Sequence, residues 1–422
     1  MRTTRRKWFG GCLAALIATG ALVAPGLGLG SAAAQVNDYA VPGSAGYNVP
    51  IPTGKAGDNG FYGFTEALIM TGNRPLGEQI VATRGLVDTR GLISAGPDGT
   101  PRPGTYIGSG AVALSTADFS RRSWAPGFTV GAGYKFDDGT AVYGSYSHLT
   151  NTKYHAGATL ATPYAQNRPD LADSFLFAPV YNFPPQFAGP RVKTAQENFV
   201  GGGLADPNAG GNFYGIWNGA SVMDIQFDSW FNQAELGVRM PLFQTEFSRI
   251  YGLAGGRYAM IMERLKWRTV SFGVDGNVEP QDVANYNNTL SQRAYGPFIG
   301  CGHEAYVGRS FSVAVDTTAA LLLGIAKERA KYKLGDRYPN SIQNKLSRNE
   351  FEVIPNINTS INLMWYPIEG VQMRVGYSAM LYFNTKYMQE PIGFNYSSVD
   401  PAYGEQFLRI YHGVNVGLGI FF

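Results

Sequence analysis

Apolar and polar positions alternate along the last fifteen residues, LRIYHGVNVGLGIFF. Leu408, Ile410, Val414, Val416, Leu418, Ile420 and Phe422 share one parity, with His412 the polar intruder; Arg409, Tyr411, Gly413, Asn415, Gly417, Gly419 and Phe421 share the other. Successive side chains of a strand point to opposite faces, so this is a strand with one greasy face and one small or polar face. An amphipathic strand of a soluble sheet shows the same alternation. A strand that ends on an aromatic residue fits better as the closing strand of an outer-membrane barrel, apolar side to lipid and the other side to a lumen. On that reading Val414, Val416, Leu418, Ile420 and Phe422 form a C-terminal assembly signal, and the outer-membrane lipid and the assembly machinery are the expected partners.

The same alternation recurs upstream. Val371, Met373, Val375, Tyr377, Ala379, Leu381 and Phe383 oppose Gln372, Arg374, Gly376, Ser378, Met380, Tyr382 and Asn384; the segments Asn356–Trp365 and Phe311–Ile325 behave alike. Connections alternate between long and short, as do the outside loops and periplasmic turns of outer-membrane barrels. Counting back from the C-terminus predicts strands near 406–422, 371–387, 350–366, 311–330, 290–307, 248–268, 221–241, 140–154, 126–136 and 60–70. Short turns are expected at Asp137-Asp138-Gly139 and over Pro241–Phe247, and long loops at about 71–125, 155–220, 269–289, 331–349 and 388–405. The expected fold is therefore all-β, an antiparallel transmembrane β-barrel of about 10 strands over residues 60–422. A further hairpin inside the 71–125 or 155–220 loop would make 12. The segment at 140–154 alternates poorly, and Asp224 and Asp228 fall on the lipid parity, which puts their end of the strand above the bilayer. The aromatic, proline-rich stretch Phe175–Pro190 either packs on itself, the simpler expectation, or folds over the barrel mouth or faces a partner.

At the other end, Arg2, Arg5, Arg6 and Lys7 precede the apolar stretch Leu13–Val23 and the small residues Ala32-Ala33-Ala34, the order of a cleaved signal peptide over 1–34. Gly20, Pro25, Gly26, Gly28 and Gly30 interrupt that stretch before it reaches the roughly 20 residues of a spanning helix. Residues 35–59, rich in Pro, Gly and Asn, are expected to be a flexible periplasmic segment. Export to the outer membrane of a Gram-negative-type bacterium follows. Subtracting the leader's four basic residues from the chain's formal charge of +3 leaves −1, so the charge points to no nucleic-acid partner. One cysteine, Cys301, remains after the leader, which excludes an internal disulfide. Charged residues are 15% of the chain, aromatics 13%, with 54 glycines, the composition of a barrel with a polar inside and no long apolar runs.

The stretch RVGYSAMLYFN (Arg374–Asn384), preceded by VIPNINTSINLMWYPIEGVQM, resembles the planctomycete outer-membrane beta-barrel porin family, whose penultimate strand is similar in its Gly-Tyr pair and Tyr-x-Asn end. Arg293–Glu328 and Phe61–Met70 resemble it as well. The resemblance implies an outer-membrane barrel; it brings no substrate and no catalytic residues.

Chemistry is sparse. Cys301-Gly302-His303-Glu304 is the densest reactive cluster, yet parity sends Cys301 and His303 to lipid and Glu304 to the lumen, so they do not converge on a substrate. His148 and His155 are expected at the start of an outside loop, and Gly201-Gly202-Gly203 and Gly255-Gly256 lack the strand-to-helix setting of a phosphate loop. No catalytic residue, metal site or cofactor is expected. Parity instead turns Glu66, Lys135, Glu235, Arg239, Arg257, Glu263, Glu304, Asp316, Glu328, Arg374 and Arg409 inward. In a wide barrel such charges select small solutes or ions; in a narrow one they pair and plug it, and ten or twelve strands lie near the narrow end. Inward glycines (Gly131, Gly133, Gly376, Gly413, Gly417, Gly419) are expected to free space. The functional expectation is a porin-like channel for small solutes or ions, not an enzyme. The alternatives are a non-conducting structural or anchoring barrel and a loop-mediated role in adhesion or partner binding.

Overall fold

The computed structural model describes residues 59–88, 98–100, 105–120, 123–159, 171–182, 217, 220–245, 247–270, 283–308, 310–334, 343–368 and 370–422. The expected signal peptide, residues 35–58 and the Gly201-Gly202-Gly203 run lie outside them.

Backbone N–H and C=O groups have no water to bond in hydrocarbon, so a spanning sheet must close on itself. It does. The strands β1 (Gly60–Gly72), β4 (Ala125–Lys135), β5 (Ala141–Thr159), β7 (Val222–Gln244), β8 (Ser248–Val270), β9 (Val283–Gly308), β10 (Phe311–Leu334), β11 (Gln343–Ile368), β12 (Val371–Glu390) and β13 (Ala402–Phe421) form one closed antiparallel ring. The ring shuts through β1, which pairs β13 on one side (Tyr62 opposite Phe421) and β4 on the other (Tyr62 opposite Gly133). The expected ten strands are thus the barrel strands. The remaining three, β2 (Ile80–Asp88), β3 (Thr105–Ser115) and β6 (Leu171–Phe177), pair with each other in the order β3-β2-β6. A hairpin does sit inside the 71–125 connection, but it joins this separate sheet, so the twelve-strand alternative is not what forms.

Short turns all fall at the end that carries the barrel's two termini. At Phe136–Thr140 the Phe136 amide donates to the Thr140 carbonyl (2.8 Å), and the Asp138 carboxylate accepts from the Thr140 amide (2.8 Å). Gly139 there has φ 82° and Gly370, in the β11–β12 turn, has φ 79°, the left-handed region that glycine enters without cost. Strand starts and stops at this end agree with the sequence to within a few residues. At the far end the strands run longer: β9 begins at Val283 rather than 290, and β11 at Gln343 rather than 350. The cause is a change of solvent. Once the outer face leaves lipid it turns polar and its apolar alternation stops, while backbone pairing continues.

The facing follows parity. Outward side chains remain exposed though large and apolar: Leu236 66%, Ile299 70%, Leu321 60%, Phe351 73% and Val375 52%. Exposure on this scale around a whole ring marks a lipid-facing surface. The C-terminal residues Val414, Val416, Leu418, Ile420 and Phe422 belong to it. Asp228 and Asp224 stand on the outer face beyond the apolar band, where Asp228 meets Arg264 (2.9 Å) and Lys266 (3.6 Å) and Asp224 lies 3.7 Å from His155. The poor alternation of β5 comes from an irregularity between Leu149 and Thr152 that shifts its register against β7. His148 and His155 lie within β5 rather than at a loop, and His148 Nδ1 is 2.5 Å from Asn232 Oδ1.

Placing arginine at Val416 or Leu418 is expected to cost about 2–4 kcal/mol of folding stability in bilayers. Ser145→Arg, directed at the lumen, should cost much less. Gly417 is unsuited to the inward contrast, since a Cβ there would lie 2.8 Å from Glu66 Cγ. A denaturant titration in lipid vesicles that found equal losses for Val416→Arg and Ser145→Arg would contradict the facing.

Candidate functional site

All eleven inward charges predicted from parity line the barrel interior, and six of them pair with one another. Arg374 Nε lies 2.5 Å from Glu66 Oε1 and Arg257 Nε 2.7 Å from Glu235 Oε1. Arg409 makes a two-pronged bond to Glu263, with Nη2 3.0 Å from Oε2, and both side chains are buried. Glu263 is on β8 and Arg409 on β13, five strands apart in either direction around the ring of ten, so this pair spans the bore. The rings of Phe231 on β7 and Tyr382 on β12, also diametrically opposed, meet at 5.7 Å, and the Tyr382 hydroxyl donates to Gln233 Oε1.

The other five find different partners. Glu304 sits near the turn end, 3.7 Å from Arg249, and accepts from Ser312 (2.6 Å) and Tyr366 (2.9 Å). Glu328 holds Lys386 (3.1 Å) and Arg348. Asp316 accepts from the Tyr251 hydroxyl (2.5 Å), and the Arg239 guanidinium lies 4.1 Å over that same ring. Lys135 is buried with its ammonium 5.8 Å from the centre of the Phe421 ring. Three partners were missed in the sequence. Arg249 was open to the parity argument, being odd-numbered in β8. Arg348 lay in an expected loop. Lys386 was open to the parity argument as well, being even-numbered like Arg374 and Tyr382 within the expected strand 371–387; the register shift at Asn384 (φ 57°) is reversed by Tyr387 and leaves its facing unchanged.

These groups stack in layers. At the turn end the Arg249–Glu304–Tyr366–Gln372 network forms a floor. Above it lies a cavity of about 230 Å³ lined by Glu66, Glu235, Arg239, Arg257, Asp316 and Arg374 together with serines, threonines and Asn358. An apolar layer follows, including Leu68, Phe231, Ile261, Phe298, Leu322 and Met380. Glu263–Arg409 and Glu328–Lys386 sit beyond it. At the far end the inward residues Phe227, Leu265, Trp267, Leu290 and Ala330 share one apolar core with Val81, Ala82, Leu114, Leu176, Val180 and Ile392 of the connections. Trp217 and Trp267 meet at 4.7 Å, and Tyr332 and Tyr396 stack at 4.2 Å. Burial pushes the Tyr396 hydroxyl, in the β12–β13 connection, well above its ordinary pKa. The stretch from residue 176 to 181 therefore folds over the barrel mouth and does not simply pack on itself; residues 183–190 lie outside the described residues.

Inward glycines do not leave holes. A Cβ on Gly133 would come within 2.5 Å of the Tyr62 ring, and one on Gly237 within 2.8 Å of the Tyr143 ring, so rings from neighbouring strands occupy the space. The expectation that these glycines widen the bore is corrected on this point.

Among the described residues no group of three or more histidine, cysteine or carboxylate side chains is placed to hold a metal. Cys301 is exposed on the outer face and Glu304 buried within, so the Cys301–Glu304 cluster does not converge.

The model of the family described as Legionella pneumophila major outer membrane protein precursor matches residues 108–403. No curated protein matches the chain. Similar solved structures include the outer membrane protease OmpT of Escherichia coli, at 10% identity over 86% of this chain and 97% of that one, TM-score 0.39. The Ralstonia pickettii toluene transporter TbuX is 10% identical over 86% and 90%, TM-score 0.25. A Pseudomonas aeruginosa FadL homologue is 6% identical over 86% and 90%, TM-score 0.22. Similarity at these scores decides nothing about activity.

Glu263→Gln is expected to destabilise the barrel by about 3–5 kcal/mol, because it leaves the Arg409 charge buried without its partner. Replacing both residues by methionine should recover most of that loss. A double-mutant cycle in denaturant titrations showing no coupling would mean the cross-bore pair does not form.

Proposed function

The chain belongs to the family of the Legionella pneumophila major outer membrane protein and is an outer-membrane β-barrel; from that premise we propose that it is a porin-like channel for small ions or solutes, held shut by contacts that cross its own bore. The carrying observation is the cavity of about 230 Å³ inside the spanning part of the barrel, bordered by carboxylates and guanidinium groups. Liquid water takes roughly 30 Å³ per molecule, so several waters fit among these charges. A barrel that served only as an anchor would have no use for such a chamber. Two barriers separate it from the solvents, the hydrogen-bonded floor at the turn end and the Phe231–Tyr382 layer above. Both are made of side chains, which can swing without breaking the backbone ring. The resemblance of Arg374–Asn384 to planctomycete barrel porins supports the same class of function. Val414, Val416, Leu418, Ile420 and Phe422 are proposed as the signal read during assembly, on the strength of the outward apolar row they form along β13 and its end.

Planar-bilayer recording tests the channel. The wild-type chain should be closed most of the time with occasional small steps. Phe231→Ala removes ring contacts to Tyr382 and Tyr411. Each such contact is worth about 0.5–1.5 kcal/mol, so openings should become roughly tenfold more frequent. Arg374→Ala or Asp316→Ala should then change the size or ion preference of the steps. Silence from folded wild-type and Phe231→Ala protein alike would instead favour a non-conducting structural barrel.

A further inference from the structure

Beyond its lumen, the barrel carries a charged surface at the height where lipid ends. Along the outer face of β10, Leu321, Leu323 and Ile325 are followed by Lys327, Arg329 and Lys331. The register extends this switch sideways in rows. Ile325 stands beside Arg293 of β9 and Phe351 of β11. One row further out, Lys327 stands between Ser291 and Asn349; the next row holds Arg329 between Thr289 and Ser347; the next, Lys331 between Asn287 and Lys345. Arg268 of β8 continues the outer-face charge, and Arg264 and Lys266 beneath it share the single carboxylate of Asp228.

Three features separate this surface from an ordinary solvated face. Its rows begin where the apolar band stops, at the rim marked by Tyr258, Tyr295 and Phe351, which is headgroup depth for a barrel strand. Lys331 and Lys345 are direct cross-strand neighbours, an arrangement that repels unless a counter-charge lies between them. Finally, the acids of the β10 and β11 segments turn the other way: Glu328 and Glu350 hold Lys386 and Arg348 on the inner side, and the outer-face carboxylates beside these rows, Asp228 and Asp224, stand on β7, where Asp228 is taken up by Arg264 and Lys266. Interleaved Ser, Thr and Asn side chains supply further donors. Cations plus neutral donors in a plane facing the membrane suit an anion with several oxygen acceptors.

We propose that the outer face of β8–β11, centred on Lys327, Arg329, Lys331 and Lys345, binds the phosphate-bearing headgroups of lipids in the leaflet that surrounds the loop end of the barrel. The lipids' acyl chains then lie on Leu321, Leu323 and Phe351, so one molecule meets both halves of the surface. Bound phosphates relieve the Lys331–Lys345 repulsion and seat the barrel at a fixed depth.

Native mass spectrometry of the full chain in a non-ionic detergent, with phosphatidylglycerol or phosphatidylcholine added, tests the assignment. The wild-type protein should retain phosphatidylglycerol at least about tenfold more tightly than the zwitterionic lipid, a modest fraction of what several basic residues at a membrane surface can supply. Lys327→Gln/Arg329→Gln/Lys331→Gln/Lys345→Gln should lose that preference, whereas Lys327→Arg/Lys331→Arg/Lys345→Arg should keep it, both variants showing the wild-type heat-modifiable migration in gels. An unchanged preference in the glutamine variant, or none in the wild type, would overturn the proposal. So would displacement of the lipid by inorganic phosphate at equal concentration, or tighter binding of heparin, which would give the surface to a soluble anion.

Discussion

The hydrogen-bonding demand of the backbone in hydrocarbon governs everything else in this molecule. Each unpaired N–H or C=O group in the bilayer costs several kcal/mol, so an edge strand is not tolerated there. β1 therefore bonds along its length to both β4 and β13, and the first and last barrel strands become neighbours. Once the ring is closed, the two-residue period of a strand leaves every side chain one choice, lipid or lumen. The outward rows of Val414, Val416, Leu418 and Ile420 and the inward rows of glycine, asparagine and charge are the two outcomes of that choice.

Closure at ten strands sets the bore, and the bore sets what inward residues must do. A barrel this narrow brings opposite walls within reach of long side chains. Arg409 consequently meets Glu263 across the full width, and Phe231 meets Tyr382. Burying a charge costs much less when it is paired and hydrogen-bonded, and the Arg409–Glu263 and Arg257–Glu235 pairs meet that demand without the lumen becoming apolar. Glycines act in the same sense. Where a ring such as Tyr62 must lie against the adjacent strand, Gly133 leaves the place for it, so glycine and aromatic residues together fill a bore that either alone would clog or leave hollow.

Parity made the wall of the barrel and its eleven inward charges readable from the sequence, because lipid imposes an unbroken apolar row on every strand. Wherever lipid is absent that signal fails. The outer halves of β9, β10 and β11 carry Asn287, Thr289, Lys331 and Ser347 outward, so their strand character is not written in hydrophobicity, and Arg348 was left in a loop. Lys386 is a different case: the register shift at Asn384 is reversed by Tyr387, so Lys386 keeps the even, inward parity of Arg374 and Tyr382 and lay within reach of the same rule. The mouth was the least readable part. Val81, Leu176, Trp217 and Ile392 come from three different connections and form one core only through the closed barrel. Nothing local in any of the three sequences announces the others.

The two filled ends and the chamber between them separate two tasks. The far end is built of buried aromatic and aliphatic side chains drawn from several connections, so opening it means moving chain segments and exposing apolar surface to water. The layer next to the chamber is held by a few rings and polar contacts, each worth a kcal/mol or so, and rotamer changes suffice to disturb it. In the proposed channel, fast rotamer changes would fall in the Phe231–Tyr382–Gln233 layer and the floor around Glu304, while opening the mouth would require the slower rearrangement of loops packed on Trp217 and Trp267.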